Sequence, residues 1–237
     1  MHPLVRTARI TGLLYLGLAI AGGLGFLVVR SQLFADGDPG ATLANLVEHE
    51  SLARAGVGLE LLTVLTQALA AVWFYRLFRT VDQFAAGTIA AFGLVNAVVI
   101  LVSAALLGTA VDLAAEPFGD AAAGAQLLYL VSGALWSVGG IFFGLWLLPM
   151  GWCVLRSGWM PRVLGWVIIA GGAGYVIGSF VDHLAPAAAG LADAFTFPAA
   201  IGELWMVGYL LIIGVRRQAL DAAPTVAPAV SAARAAG

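Results

Sequence analysis

Two glutamates stand inside long apolar runs: Glu60 in "GLELLTVLTQALA", Gly58 to Ala70, and Glu203 in "PAAIGELWMVGYLLIIGVRR", Pro198 to Arg217. A carboxylate at the centre of a bilayer costs about 2.5–3.5 kcal/mol on insertion scales, so such groups face the protein interior. Two of them are harder to explain by packing than one. Brought close, a pair of carboxylates would hold a proton, or exchange it for a cation or an amine. Glu60, Thr63 and Gln67 recur at helical spacing and form one polar stripe; Asn96 and Ser103 form another. Gly202, beside Glu203, permits a close helix approach. Arg54, Asp182, His183 and His49 fall near the ends of the apolar runs. We therefore expect a polar pocket with Glu60 and Glu203 at its floor, Gln67 and Asn96 in its wall, and Arg54, Asp182 and His183 at its mouth. The same residues have a plainer use. Gln67, Asn96 and Ser103 can bond helix to helix, Glu60 can pair with Arg54, and Glu203 can be a structural acid.

Other chemistries find less support. Haem between helices wants paired histidines within them, whereas His2, His49 and His183 all lie near ends or loops. His49 and His183 with Glu48, Glu50 or Asp182 lack diagnostic metal-ligand spacing, so no metal is assigned. The glycines sit in apolar helices without the lysine and Ser/Thr of a phosphate loop. Ser132, Ser137 and Ser179 have no histidine at a recognisable spacing. Cys153 is the one cysteine, which rules out an intramolecular disulfide. No catalytic residue and no cofactor is expected.

These residues must be held by membrane helices. The chain of 237 residues is 62% hydrophobic and only 10% charged, with no lysine; its mean hydropathy is +0.99. Soluble domains carry roughly 25% charged residues. No basic stripe points to nucleic acid. Six apolar segments emerge, near Ile10–Val29, Ala53–Tyr75, Phe84–Val111, Ala125–Leu148, Val163–Val181 and Phe195–Val215. Each is long enough to cross a hydrocarbon layer of ~30 Å. The third and fourth should tilt, and Pro149 should kink or break the fourth.

Arginine placement sets the direction. Arg6 and Arg9, Arg76 and Arg79, Arg156 and Arg162, and Arg216 and Arg217 mark alternate ends. The other loops carry Asp36, Asp38, Glu48, Glu50, Asp112, Glu116, Asp120, Asp182 and Asp193, with only Arg30 and Arg54. The expectation is an all-α polytopic helix bundle of six transmembrane helices, both termini cytoplasmic. It forms one domain over residues 1–220. The first run imitates a signal peptide through "AIAGG", but it continues to Val29, so we expect an uncleaved first helix. In the 30–52 outer loop, Asp38 before Pro39 predicts a short amphipathic helix. It would lie on the interface or fold back over the bundle. The Ala- and Pro-rich tail, 221–237, is expected to be disordered in the cytoplasm.

Gly133, Ser137, Gly140 and Gly144 make one smooth helix face. Such a face suits close packing, within the chain or in a homo- or hetero-oligomer. "IAGGLGF" at Ile20–Phe26 and "IAGGAGY" at Ile169–Tyr175 each precede a returning helix with glycine shortly before "EL". That fits a degenerate repeat of helix pairs, or a chance match of glycine-rich helices.

The stretch "IFFGLWLLPMGWCVLRSGWMPRVLGWVIIAGGAGYVIGSF", Ile141–Phe180, is the most distinctive. With "RITGLLYLGLAI" at Arg9–Ile20 and "IGELWMVGYLLIIGVR" at Ile201–Arg216, it resembles a bacterial membrane family, domain of unknown function 4386. The resemblance implies a multi-pass membrane protein of a bacterial plasma membrane. It supplies no catalytic residues, although Glu203 and Glu60 stand where that family commonly carries acids.

Three function classes remain. The leading one is binding or transport of a small cationic or protonatable ligand through an outward-facing acidic pocket. The second is a structural or regulatory subunit of a membrane complex. The third is a membrane enzyme using a glutamate on a lipid-like substrate, for which no nucleophile or cofactor signature is found.

Overall fold

In the computed structural model, residues 2–185, 187 and 189–216 are described, with backbone alone at 189 and 191–195. The described residues form helices and no strand. In chain order these are α1 (Pro3–Gly23), a π-helical turn (Leu24–Val29), α2 (Arg30–Leu33), α3 (Pro39–Glu48) and α4 (Glu50–Phe78). They continue with α5 (Gln83–Ala115), α6 (Ala121–Ser157), α7 (Arg162–Leu184) and α8 (Ala189–Ile212).

Among the described residues, five helices are long and apolar enough to cross a membrane: Pro3–Leu33, Glu50–Phe78, Gln83–Ala115, Ala121–Ser157 and Arg162–Leu184. The sixth expected segment is represented by a shorter apolar helix, Thr196–Ile212. Its expected start at Phe195, along with Asp193, lies outside the described side chains. Arg217 and the 221–237 tail lie outside the described residues altogether.

Local sequence accounts for the ends. The side chains of Asp38, Asp82 and Asp120 accept from the N–H groups three residues on, capping α3, α5 and α6. Gly158 ends α6 at φ 66°, a left-handed position that glycine adopts without a Cβ penalty. Pro149 does not break α6, which runs on to Ser157.

The six long helices pack in sequence order, α1 on α4, α4 on α5, α5 on α6, α6 on α7 and α7 on α8. α8 then closes on α1, so the bundle is a ring. The α1–α8 contact is the least extensive of the six among the described residues. The core holds Trp146, Phe74 and Tyr15, whose rings meet edge to face at 5.3–5.7 Å. A second apolar cluster lies toward the acidic loops, where α3 drops Leu46 between α4, α5 and α6. There the Thr42 hydroxyl donates to Gln126 Oε1 at 2.6 Å. α3 is thus bonded to the bundle end.

The glycine face of α6 packs within the chain. A Cβ on Gly140 would meet Ser179 Oγ at 2.9 Å, and one on Gly144 would meet the Gly172 carbonyl oxygen at 2.5 Å. Small residues let α6 and α7 approach at backbone distance. The first glycine, Gly133, makes room instead for Arg30, whose Nη2 lies 2.9 Å from where its Cβ would be.

Candidate functional site

Glu203 sits on α8, where the helix faces α1. Gly12 brings α1 against Leu210, and Gly214 receives Val5 and Ala8, so the two helices touch toward the Arg216 end. At the limit of that contact the Tyr15 hydroxyl donates to Glu203 Oε1. Tyr15 is aimed there by the rings of Phe74 and Trp146 packed edge-on against it.

Past this bond α1 and α8 part, and a cavity of about 660 Å³ opens between α1, α6, α7 and α8. Glu203 borders it at the Tyr15 end. Asp182, exposed at the C-terminal end of α7, borders it at the other. Between them the wall is mainly apolar or small: Phe26, Leu27, Gly140, Phe143 and Val207, with the hydroxyl-bearing Ser137, Tyr175 and Ser179. Among the described lining residues there is no arginine, lysine or histidine. The cavity is therefore a mainly apolar space with a carboxyl side chain at each end.

Glu60 has a different setting. It is 5% exposed, on α4, and is not in the cavity wall. Its Oε1 accepts from Trp136 Nε1 at 3.0 Å and from the Ser103 hydroxyl at 3.2 Å. Ser103 and Ser132 lie 2.8 Å apart, and Arg30 Nη1 donates to Ser132 Oγ at 3.0 Å. A serine hydroxyl has one hydrogen. Ser103 commits its hydrogen to Glu60, so Ser132 donates to Ser103 and accepts from Arg30. The chain runs in one sense from cation to anion, which lets each bond polarise the next. Arg30 also donates to the Tyr129 carbonyl and lies over the rings of Phe26, Phe34 and Tyr129 at 5.4–5.8 Å. It is placed there by the π-helical turn Leu24–Val29, whose extra residue per turn re-aims the side chains beyond it; such turns are frequent at functional sites.

Trp136 joins the two regions. Its indole N–H bonds Glu60, its ring leans on Phe26 at 5.3 Å, and it lines the cavity that Glu203 borders. No hydrogen bond directly between the two glutamates is present among the described residues; their partners are Ser103 and Trp136 for Glu60 and Tyr15 for Glu203.

The remaining expected residues divide. Asp182 lies at the cavity, as does Thr63 from the α4 stripe. Gln67 is fully buried and donates to the Gly93 carbonyl at 3.3 Å, a helix-to-helix bond. Asn96, 3% exposed, borders a smaller cavity of about 110 Å³ beside Trp136, Gly139 and Tyr175. Glu60 Oε2, Gln67 Oε1 and Asn96 Nδ2 make no hydrogen bond among the described residues. Arg54 is on the surface, paired with Glu50 at 2.8 Å and with Asp112 at 3.7 Å. It is not the partner of Glu60; Arg30 is linked to that carboxylate instead. His183 is exposed, and its Nδ1–H donates to the Ser179 carbonyl at 2.8 Å. No group of three or more His, Cys, Asp or Glu side chains suited to a metal ion occurs among the described residues.

Tyr15, Arg30 and Trp136 were not singled out from sequence. Arg30 carried a signal: it is one of two arginines at the acidic ends. Tyr15 carried a weaker one, a phenol deep inside an apolar run.

With this geometry in hand, the sequence matches a family described as Domain of unknown function (DUF4386) over residues 10–214. The chain belongs to that family. Both glutamates, the π-helical turn and every cavity-lining residue fall inside the DUF4386 region. No curated protein and no solved structure matches the chain.

Proposed function

We propose that this DUF4386 protein crosses a bacterial plasma membrane six times, with both termini cytoplasmic, and binds or transports a small cationic or protonatable ligand through its acidic cavity. The observation that carries the reading is Glu203, held by Tyr15 at the end of an apolar-walled space of about 660 Å³ whose other charged group is also an acid. Low-polarity walls strengthen the attraction of a carboxylate for a cation. With carboxyl groups at both ends and no basic side chain in the described wall, an anion finds no counter-charge there. With the arginine-rich ends inside, the cavity opens toward the outer face. Glu60, Arg30 and the two serines brace the wall through Trp136.

The test is binding of benzylamine against benzyl alcohol, which share a ring and differ in charge, to the purified protein in detergent. A charge-assisted hydrogen bond is worth about 1.5–3 kcal/mol, or roughly 10- to 150-fold in affinity. Benzylamine should bind tighter by that order, and Glu203→Gln should remove the difference. Equal binding of both compounds, or an unchanged preference in Glu203→Gln, would overturn the reading.

A further inference from the structure

The geometry points to a ligand that arrives from the lipid rather than from water: a membrane-dissolved amphiphile with an ammonium head, entering sideways between α1 and α8. This rests on the acidic-cavity reading above and names its ligand class and route. α1 and α8 touch at Gly12, Leu210 and the Tyr15–Glu203 bond, then line opposite sides of the same space. From α1 come Ala19 and Gly23, and from the π-helical turn that follows it Leu27; from α8 come Ala200 and Leu204. At the rim, Leu27 is 71% exposed and Leu204 65% exposed. A cavity whose rim side chains are apolar and turned to the outside of a membrane bundle is open to hydrocarbon.

The occupant follows from charge and shape. Its head must be cationic, because Glu203 is the polar group at the deep end and no basic side chain is in the described wall. Its body must be apolar, because Phe26, Phe143 and Val207 surround the path to that head. A tail that remains between Leu27 and Leu204 stays in hydrocarbon throughout, so entry requires no step through water. Only the head is transferred, from the bilayer surface past Asp182 to Glu203.

Gly23 provides the means to close this route. Nothing lies within 4 Å of where its Cβ would be, although it lines the cavity. A phenylalanine there projects into the gap between α1 and α8 without a clash at its root. Ala19→Phe, at an exposed lining position one turn away, is the second plug should the first fail to fold.

The experiment uses the full chain in lipid nanodiscs, with dodecylamine as probe at graded mole fractions of the bilayer and protein-free discs as background. Benzylamine binding is measured in parallel in detergent. The expected result is saturable dodecylamine binding that falls by about 10-fold or more in Glu203→Gln, the loss of one charge-assisted bond. A fall is expected in a folded plugged variant as well, larger for dodecylamine than for benzylamine, since both plugs stand in the wall the two amines share but only the amphiphile must pass between the helices. If both folded plugs bind dodecylamine like the unsubstituted chain, or weaken the two amines equally, the lateral route is wrong. If benzylamine binds with dependence on Glu203 and dodecylamine does not bind, the acidic cavity stands and the amphiphile falls. If neither amine depends on Glu203, both readings fall together.

Discussion

Gly144 decides whether α6 and α7 are joined as described. An alanine there would place its Cβ 2.5 Å from the Gly172 carbonyl oxygen, 2.8 Å from Val176 Cγ2 and 3.0 Å from Tyr175 Cβ. The closest of these is backbone, tied into the hydrogen bonds of α7, and cannot rotate away as a side chain would. Two effects oppose each other. Alanine is favoured over glycine in a helix by about 1 kcal/mol. Overpacking a tight contact costs about 1–3 kcal/mol. Because backbone must shift, the clash wins, and Gly144→Ala should lose about 1–2 kcal/mol. For a chain of this length 1 kcal/mol moves Tm by roughly 2–4 °C, so a fall of several degrees is expected. Gly58→Ala is the control: that glycine is exposed, with nothing within 4 Å of the added Cβ, and only the propensity gain applies. The protein contains its own reporter, since Cys153 is the lone cysteine and fully buried. A thiol-reactive fluorophore added during heating in detergent reads its exposure. A Gly144→Ala midpoint at or above that of Gly58→Ala would show that the two helices do not meet at this glycine.

Three more outcomes are expected. In a Cys153→Ala background, Asp36→Cys should label from outside intact cells and Arg162→Cys should not; the reverse would invert the topology. Asp82 is held below the usual aspartate range by the Ala85 N–H it caps, then by Trp152 and Arg156, so its contribution is present above pH about 4 and is lost as pH falls through the depressed value. Asp82→Asn keeps a capping oxygen but should flatten that acid-side loss, and an unchanged profile of melting against pH would refute it. Arg30→Gln and Glu60→Gln should each destabilise, and the double variant should lose less than their sum by about 0.5–3 kcal/mol. Strict additivity would show that the two serines carry no coupling between the charges.

The helical class, the membrane character and the positions of the apolar segments were legible because each rests on composition and length, which a bilayer constrains directly. The α3 start at Asp38 and Pro39 was legible for a local reason, since a cap is made by neighbours in sequence. The partners of the buried acids were not. Arg54 was the nearest cation to Glu60 along the chain, yet it turns outward to Glu50 and Asp112. The cation linked to Glu60 comes from thirty residues earlier, carried inward by a π-helical turn that apolar periodicity does not reveal. Tyr15 and Glu203 are 188 residues apart, and their meeting depends on the ring closing, α8 upon α1. Pattern reading finds which side chains need partners; it does not find partners that only tertiary closure supplies.

The two glutamates satisfy the same constraint by different means, and that difference separates bracing from binding. Glu60 concentrates two donors on one oxygen and is connected, hydroxyl by hydroxyl, to an arginine wedged among three aromatic rings. Its demand is met largely by the chain, and what it fixes in return is Trp136, a wall of the cavity, and the α1 turn bearing Phe26, another wall. Glu203 has one phenolic donor among the described contacts and open space beside it. A carboxylate so placed in apolar surroundings retains an affinity for a cation that Glu60, already linked to Arg30, has largely spent on the fold. Helix positions equally apolar in sequence therefore hold one acid bonded into the wall of a cavity and one that borders its open space, the one that the proposed function assigns to the ligand. Trp136, bonded to Glu60 and lining the cavity that Glu203 borders, is on the proposed function the element through which a change in the brace would reach a ligand.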